Sequence, residues 1–421
     1  MRRLEFVVTS NHPDFAVAEK HCWEARRLFN GINALCRESH ARYRDPNADV
    51  HISLEMGVEP ANVFPGNLTH LEALRKTVMA HQACELPQKL AQAVARRVRA
   101  AWAGYYASNE PGRRIPGFAK AYAVAEYNKQ AIGKRRLERD HQVVPSGWMH
   151  GFKLPAHISA KQVQSARVLK DPRGFKLEVL YTKEPAEVQP PGNITAGIDL
   201  GVNILAAVTF SDSQQPLLIN GRPLKSINQF TNKVNAKLRS EQDTRRGGEY
   251  NQRKLDRLWD KRNRRIDHYL HSASRQLTEQ LVSAGVGTVL VGWNDGFKSN
   301  INIGRVNNQN FTALPLAKFI SMLEYKCAEH GIAVERVEES YTSKASFLDQ
   351  DPMPVYGELA AATPKFSGRR TQRGQYRSAD GTLLHADVNG SGNIIRKHAA
   401  HLLMSRGVVA APRMVSLRGH S

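Results

Sequence analysis

Apolar and polar positions in the N-terminal half change spacing twice along the chain. Residues 1–10 alternate apolar and polar side chains, which predicts a β-strand. Asp14 is the expected N-cap of a helix that reaches about residue 43, and a second helical region spans about residues 69–108. Short alternating segments return after residue 111. The pattern therefore predicts a small β module into which helices are inserted.

The C-terminal half carries apolar runs that are typical of buried strands. Residues 193–203 and 204–210 predict two consecutive strands, and residues 216–220 predict a third. The continuous apolar run at residues 286–291 predicts a buried parallel strand. A helical segment follows it and leads into a strand at residues 332–337. A strand–helix–strand unit beside antiparallel strands predicts a mixed sheet of α/β type.

A polar helical hairpin is predicted between these strands, at residues 225–282, with its break at Gly247 and Gly248. The second arm repeats apolar positions at helical spacing, so its cations fall on the outer face. A basic face of this kind is suited to contacting a nucleic acid backbone. The cations of that face are Arg253, Lys254, Arg257, Lys261, Arg264 and Arg265.

The charge balance indicates that this α/β protein has a polyanionic partner. The 421 residues include 60 Lys and Arg against 39 Asp and Glu, a net charge of +21. Nucleic acid is the usual partner of such a chain, and an acidic membrane surface is the alternative. No apolar run approaches the roughly 18–20 residues that span a bilayer. The N-terminus begins a strand rather than a signal peptide. We expect a cytoplasmic nucleic-acid-binding protein.

Further basic clusters lie outside the hairpin, and each has a simpler interpretation as a solvated surface. Phosphate contact is the functional interpretation, favoured by the net charge. The candidates are Arg96, Arg97, Arg99, Arg113, Arg114, Arg369, Arg370 and Arg373.

The four cysteines are Cys22, Cys36, Cys84 and Cys327. They form no Cys-x-x-Cys pair, so neither a zinc ribbon nor a disulfide framework is indicated. We expect them to be buried, reduced and hydrophobic in character.

Acidic residues fall at three sites, on separate predicted elements of the C-terminal half. Asp199 lies on the first strand of the sheet, Glu338 and Glu339 follow a later strand, and Asp387 begins the last helix. Two Mg²⁺ ions about 4 Å apart need carboxylates that converge from several elements. Each acid also has a simpler interpretation: Asp199 as a turn residue, Asp387 as an N-cap, and the glutamates as solvated side chains.

Three motifs together resemble the TnpB family of transposon-encoded, RNA-guided nucleases, which are related to compact type V CRISPR effectors. They are GIDLGVN at residues 197–203, ESYTSK at 339–344 and DVNGSGNI at 387–394. The resemblance implies a nuclease domain of RuvC, RNase H-like fold, and an N-terminal β-barrel wedge domain with an inserted helical recognition domain. It implies Mg²⁺-dependent cleavage of double-stranded DNA, directed by a guide RNA beside a short flanking motif. It also implies a prokaryotic, nucleoid-associated protein.

The resemblance and the apolar pattern together suggest a domain organisation. The expected parts are a wedge strand at 1–15, a helical recognition domain at 16–110, a wedge β-barrel at 111–190, a nuclease domain at 191–348, a cysteine-free loop insertion at 349–383, a final nuclease helix at 384–405 and a flexible tail at 406–421.

The chain departs from the family at a catalytic position. Members usually carry a Glu at the end of the strand where this chain has Gly292. Either the nuclease is inactive or another acid substitutes. We favour Glu339 because the next parallel strand ends beside this one. Glu338 is the close rival, since alternation points only one of the pair inward, and Asp295 is a weaker candidate.

The second departure concerns zinc. The family commonly has two Cys-x-x-Cys pairs in stretches that correspond here to residues 344–348 and 375–380, which contain no cysteine. Without thiolates we expect no structural zinc. Apolar packing is expected to hold the insertion instead, through Phe347, Leu348, Phe366 and Tyr376.

Three functions are compatible with these observations. The first is an RNA-guided DNA endonuclease with a two-Mg²⁺ site formed by Asp199, Glu339 and Asp387. The second is an RNA-guided repressor that binds DNA without cutting it, which Gly292 supports. The third is a transposase that acts without RNA, which is disfavoured because no helix-turn-helix is recognisable.

Overall fold

The computed structural model describes ten segments of the chain and divides them into two compact units, Met1–Glu184 and Pro185–Ser421. At residues 68–70, 241–244, 252 and 253 the description covers the backbone alone. The described residues are 2–58, 68–108, 112–183, 192–212, 214–244, 252–293, 314–354, 364–372, 374–398 and 409–417.

The first unit combines four consecutive helices with antiparallel strands. Its main sheet has the order β1-β6-β5-β2, and β3 and β4 form a separate two-stranded ladder. The helices α1 to α4 lie between β1 and β2 in the chain, whereas the closed barrel stays a prediction. The elements are β1 (Arg2–Thr9), α1 (Phe15–Arg44), α2 (His51–Glu55), α3 (Leu68–His81), α4 (Gln88–Ala107), β2 (Ala125–Asn128), α5 (Lys134–Arg139), β3 (Gln142–Val143), β4 (Phe152–Lys153), β5 (Val163–Asp171) and β6 (Gly174–Tyr181).

Asp14 precedes helix α1 as expected, but its side chain does not cap that helix. Its carboxylate accepts hydrogen bonds from the backbone N–H groups of Met149 and His150, both at 2.9 Å. The predicted capping bond is therefore wrong. Two N–H donors from a distant loop satisfy the buried carboxylate, so Asp14 ties the helix start to that loop.

All four cysteines are buried free thiols, which confirms the expectation from their spacing. Burial raises the pKa of Cys22 and of Cys36 to about 12. Since the thiolate is the form that binds metals, these cysteines are poor ligands.

The second unit contains a six-stranded sheet, a helical hairpin and a small three-stranded sheet. Its elements are β7 (Ile194–Leu200), β8 (Ile204–Phe210), β9 (Leu217–Asn220), α6 (Arg222–Thr244), α7 (Gln252–Ser283), β10 (Val286–Gly292), α8 (Leu316–Ala328), β11 (Ala333–Val337), β12 (Arg369–Gln372), β13 (Gln375–Arg377), β14 (Leu383–His385), α9 (Ala386–His398) and β15 (Arg413–Val415).

The six-stranded sheet is the predicted mixed sheet, with the order β11-β10-β7-β8-β9-β15. Strands β7, β8 and β9 are antiparallel, whereas β10 runs parallel to both β7 and β11. Val289 and Val291 of β10 are fully buried and join one core with Ile266 of α7 and Phe319 of α8. Each such side chain stabilises the fold by about 1.5–3 kcal/mol. The continuous apolar run thus forms a buried parallel strand, as predicted.

Two expectations for the C-terminal region are wrong. Residues 413–415 of the expected flexible tail form β15, which pairs with β9 and covers its otherwise open edge. The expected loop insertion contains the antiparallel sheet of β12, β13 and β14. All four residues of β12 are exposed, so no apolar alternation marks that strand in the sequence.

Helices α6 and α7 form the predicted hairpin, and α7 extends over 32 residues. Its apolar positions, such as Leu255 and Leu270, are buried, while its predicted outer cations face solvent where their side chains are described. None of the helices in the described segments is both long enough and apolar enough to cross a membrane.

Candidate active site

The carboxyl ends of three parallel strands meet at one edge of the large sheet. Ile198 of β7 pairs with Val291 of β10, so Gly292 comes to lie beside Asp199. On its other side Gly292 pairs with the last residue of β11, which directly precedes the 338–339 glutamate pair. The register thus brings the first predicted acid and the two candidate glutamates to the same edge.

Glu339 fills the space next to Gly292. A Cβ atom built on Gly292 would lie 2.5 Å from Oε2 of Glu339 and 2.7 Å from Cδ1 of Ile394. No side chain fits at position 292 while Glu339 keeps this conformation. The carboxylate beside Gly292 therefore comes from the turn after β11.

Glu338 has a different environment from its neighbour. Its carboxylate accepts a hydrogen bond from the Ser340 backbone N–H at 2.6 Å and forms an ion pair with Lys397, whose side chain is 6% exposed. His398 Nε2 lies 2.7 Å from the Glu338 carbonyl oxygen. Burial alone would raise the pKa of Glu338, but these bonds from Lys397 and Ser340 lower it below its ordinary value.

Asp387 reaches the same edge from the first turn of α9, which packs on β7 and β8. The close approach depends on Gly390, where a Cβ would lie 2.5 Å from Oδ2 of Asp199. Asp387 Oδ1 lies 3.4 Å from Nη2 of Arg370, which extends from β12. Arg370, predicted as a nucleic-acid contact, therefore contacts a site carboxylate.

The electrostatics of these acids are unfavourable without a cation. Burial, followed by the charges of Asp387 and Glu339, raises the pKa of Asp199 well above its ordinary value, and Arg370 offsets this in part. Burial, followed by the charge of Glu338, raises the pKa of Glu339 to about 7. Crowded carboxylates with raised pKa values are typical of functional sites.

The donor set matches a divalent cation in kind and charge. Carboxylate oxygens are the ligands that Mg²⁺ takes, and a bound cation would relieve the repulsion between Asp199 and Glu339. Within the described segments, no three His, Cys, Asp or Glu side chains converge closely enough to hold a metal ion. Asp387 is paired with Arg370 instead.

Helix α9 also holds the turn that follows Glu339, through residues that the sequence analysis did not identify. The Asn393 Nδ2 group donates to the carbonyls of Thr342 and Ala345, at 2.8 and 2.7 Å. Asn389 donates to Ala345 O at 2.8 Å and accepts from Phe347 N at 2.9 Å. The sequence does contain a sign of this role: two Asn residues lie four positions apart inside a predicted helix, although Asn is a poor helix former.

The basic outer face of α7 borders an open groove of about 770 Å³ between α6 and α7. Lys261, Arg264 and Arg265 line it together with His268. Arg264 also pairs with Asp260 at 3.0 Å. Lys254 and Arg257 are exposed on the same helix. This is a concave surface of positive charge suited to a phosphate backbone.

The other predicted cations have mixed environments. Arg97 donates to the Val124 carbonyl at 3.0 Å, and burial lowers its pKa, so it supports the fold. Arg113 lies over the Tyr105 ring at 4.8 Å. Arg96, Arg114 and Arg369 are exposed and Arg99 is half-buried. Asp295, Arg373 and the side chain of Arg253 lie outside the described residues.

Comparisons with known proteins give matches in both sequence and fold. Residues 178–295 match the family OrfB_IS605, probable transposase, and residues 317–394 match the Cas12f1-like TNB domain. The TnpB-like protein ORF457 of Acidianus two-tailed virus is 28% identical over 279 residues, which cover 64% of this chain and 53% of that protein. The chain thus spans about half the length of this curated relative.

A solved structure gives the corresponding match in fold. Cas12f1 in its complex with sgRNA and target DNA aligns with a TM-score of 0.51 and 14% identity, over 90% of this chain and 82% of that one. At this identity the likeness shows the fold alone. It agrees with the mixed sheet and the helices described above.

Proposed function

We propose that the chain is a TnpB-family, RNA-guided DNA endonuclease, on the basis of its matches to OrfB_IS605, to the Cas12f1-like TNB domain and to a TnpB-like protein. Its partners would be a guide RNA and a double-stranded DNA target, cut beside a short flanking motif. The proposed site consists of Asp199, Glu339 and Asp387. The protein would act in the prokaryotic cytoplasm at the nucleoid, with no membrane partner.

The single observation that carries this proposal is the position of Glu339. Its carboxyl occupies the space beside Gly292 that a Glu at 292 would need. The proposed site would then have three acids, with Glu339 in place of a Glu at 292. Retaining partly buried, mutually repelling carboxylates costs stability, and a protein that only bound DNA would gain nothing from them.

Two Mg²⁺ ions, when bound, would supply an activated water and stabilise the leaving oxygen in phosphodiester hydrolysis. Asp199, Glu339 and Asp387 would hold them. Asp387 would have to exchange its contact with Arg370 for this role. Arg370 would then be available to neutralise charge on the substrate phosphate. The basic groove beside α7 would contact nucleic acid by its backbone, without reading its sequence.

The first experiment establishes the activity. The protein is purified with co-expressed RNA, the RNA is sequenced, and matched and mismatched DNA are incubated with Mg²⁺ or EDTA. We expect cleavage of the matched target only, and only with Mg²⁺. Cutting or strand transfer without RNA would instead support a transposase.

The second experiment tests the relocated acid. Glu339→Ala should reduce cleavage at least about 100-fold, because even residues that only support metal ligands cost 10–100-fold when lost. The double variant Gly292→Glu/Glu339→Ala should recover part of the activity, since it removes the Glu339 oxygen and leaves the Cδ1 end of Ile394, 2.7 Å from the Cβ position, as the nearest atom that must shift aside. Glu338→Ala is the matched control and should retain most of its activity. Full activity of Glu339→Ala would refute the relocated site.

A nuclease-deficient, RNA-guided DNA-binding protein is the alternative, favoured by Gly292 and by the Arg370–Asp387 ion pair. It predicts RNA-dependent binding of matched DNA with equal affinity in Mg²⁺ and EDTA. Neither strand would be cut after long incubation.

A further inference from the structure

The family resemblance implies a zinc ribbon that this chain cannot form. The stretches at residues 344–348 and 375–380 contain no cysteine. Cys327 is the one cysteine of the second unit. It is buried in the core of that unit, and its Sγ lies 3.8 Å from Oγ1 of Thr278. A zinc ribbon joins two chain segments through thiolates. Residues 344–348 and 375–380 must therefore be joined by other interactions.

Two carboxylates connect the segments that zinc would otherwise join. Asp351 accepts hydrogen bonds from the backbone N–H groups of Ser346 at 2.7 Å and Ser367 at 3.0 Å, and from the Ser367 hydroxyl at 2.6 Å. Asp349 accepts from the Ser346 hydroxyl at 2.5 Å and the Ala379 N–H at 2.8 Å, and it shares the single proton of the Ser367 hydroxyl, 3.2 Å away, with Asp351. Ser346 and Ala379 lie in the two stretches that correspond to the missing cysteine pairs.

We propose that Asp349 and Asp351 form a carboxylate hub that takes the place of a structural zinc ion and positions the turn that follows Glu339. The hub is defined by these two side chains and their donors at Ser346, Ser367 and Ala379. In the hub, N–H and O–H donors surround two carboxylates, whereas in a zinc ribbon thiolates surround a metal ion.

The chemistry of the hub suits a permanent cross-link. Hydrogen bonds to an ionised carboxylate are about twice as strong as neutral ones. Asp351 is 7% exposed, so water competes little for its oxygens. Burial alone would raise the pKa of Asp349, but the bonds from Ser346, Ala379 and Ser367 lower it below its ordinary value. The carboxylate therefore stays charged at neutral pH.

Apolar packing, which the sequence predicts for this insertion, accompanies the hub. Phe347 and Tyr376 are buried in one cluster with Leu384 and Val388, and Leu348 packs against it. The Tyr376 hydroxyl donates to the Lys344 carbonyl at 2.8 Å, across the same two stretches. Phe366 lies apart from this cluster, 6.1 Å from the Tyr341 ring.

The hub reaches the proposed site through α9. Arg396 donates to the carbonyl of Ser346 at 3.0 Å and to that of Asp351. The hub, the neighbouring turn and the helix that carries Asp387 are thus joined by hydrogen bonds. Asp349 and Asp351 are positioning residues in this scheme, because they contact neither Asp199 nor Glu339 by any described bond.

The test is hydrogen exchange on the full-length protein, with no nucleic acid present. Asp349→Asn and Asp351→Asn should each speed exchange about tenfold or more in peptides covering residues 344–348, 365–368 and 376–380, since each removes charge-assisted bonds. Asp171→Asn is the matched control and should leave exchange in the three peptides unchanged, because Asp171 is also 7% exposed and accepts from the Arg173 backbone N–H at 3.0 Å, in the first unit. Peptides from β7, β8 and β10 report global unfolding.

A second arm tests zinc itself. Elemental analysis should find no stoichiometric zinc, and phenanthroline should leave exchange in the three peptides unchanged. Bound zinc, or chelator-induced exchange that added zinc reverses, would overturn the proposal. Unchanged exchange in both Asn variants would overturn it equally. If Asp351→Asn unfolds the whole unit, Asp349→Asn and the chelator arm decide. No readout depends on DNA cleavage, so failure here is distinct from failure of the proposed nuclease function.

Discussion

Two groups of carboxylates in the second unit differ in how their charge is satisfied. At the sheet edge, burial and the neighbouring charges of Asp387 and Glu339 raise the pKa of Asp199. In the insertion, N–H and O–H donors surround Asp349 and outweigh burial, so its pKa falls below its ordinary value. In the first group neighbouring carboxylates add to the effect of burial, and in the second N–H and O–H donors outweigh it.

The same contrast separates two adjacent residues. Glu338 has Lys397 and the Ser340 N–H as partners, which lower its pKa, whereas burial and the charge of Glu338 raise the pKa of Glu339 to about 7. Residue type alone therefore does not distinguish a structural acid from a candidate ligand. The number and charge of the donors around each carboxyl make the distinction.

The largest expected effect is on cleavage. Asp199→Asn should lower the cleavage rate at least about 100-fold, since a proposed metal ligand should cost no less than a residue that supports one. Binding of guide RNA and matched DNA should persist, because the substitution removes only negative charge. Cleavage and filter-binding assays on the same preparation check both statements. Asp380→Asn serves as control, and a variant at Asp199 that keeps a tenth of the activity would contradict the prediction.

The next effect concerns stability and pH in EDTA. Glu339 has a folded pKa of about 7, raised above its ordinary value of 4.5. Its contribution to stability is therefore fully present below pH 4.5 and is lost as the pH rises through about 7. At pH 8, Glu339→Gln should raise the free energy of unfolding by about 2–3 kcal/mol over the parent chain.

Urea denaturation at pH 5 and pH 8 measures this difference. Glu338→Gln is the control of opposite sign, because the pKa of Glu338 is lowered in the folded protein. Mg²⁺ at pH 8 should stabilise the parent chain more than Glu339→Gln. If the stability of the parent chain in EDTA did not depend on pH, the raised pKa of Glu339 would be contradicted.

Sequence patterns predicted those parts of the site that depend on local spacing. Asp199 sits on an apolar strand, and the run at residues 286–291 forms the parallel strand beside it. Asp387 falls in the first turn of a helix. Such features follow from a short stretch of chain, because strand and helix periodicities are local.

The features that the sequence did not reveal depend on distant partners. The four residues of β12 are all exposed, and β15 exists because the edge of β9 is available to it. The orientation of Glu338 is set by Lys397, 59 positions along the chain. The hub needs donors from three separate segments. None of these pairings leaves a periodic signal in the residues concerned.

A third effect sharpens the contrast between the two glutamates. Lys397→Met should leave Glu338 without its buried ion-pair partner and cost about 1–2 kcal/mol, less than for a fully buried pair because Glu338 is partly exposed. Chemical denaturation at pH 7 measures the loss. Lys318→Met is the matched control: its pair with Asp267 is exposed on both sides, so the cost should stay below about 1 kcal/mol. Equal costs for the two variants would contradict the assignment of Glu338 as a structural acid.

The smallest effect tests whether Arg370 competes with a cation at the sheet edge. Its ion pair with Asp387 is half exposed, so Arg370→Gln should change stability in EDTA by less than about 1 kcal/mol. Without the arginine the site is more negative, and the Mg²⁺ concentration that gives half of the thermal stabilisation should fall a few-fold. Arg369→Gln, the exposed neighbour on β12, should leave that midpoint in place. A midpoint that rises in Arg370→Gln would mean that the arginine supports cation binding, and the acids of the sheet edge would then resemble the hub in relying on a protein donor.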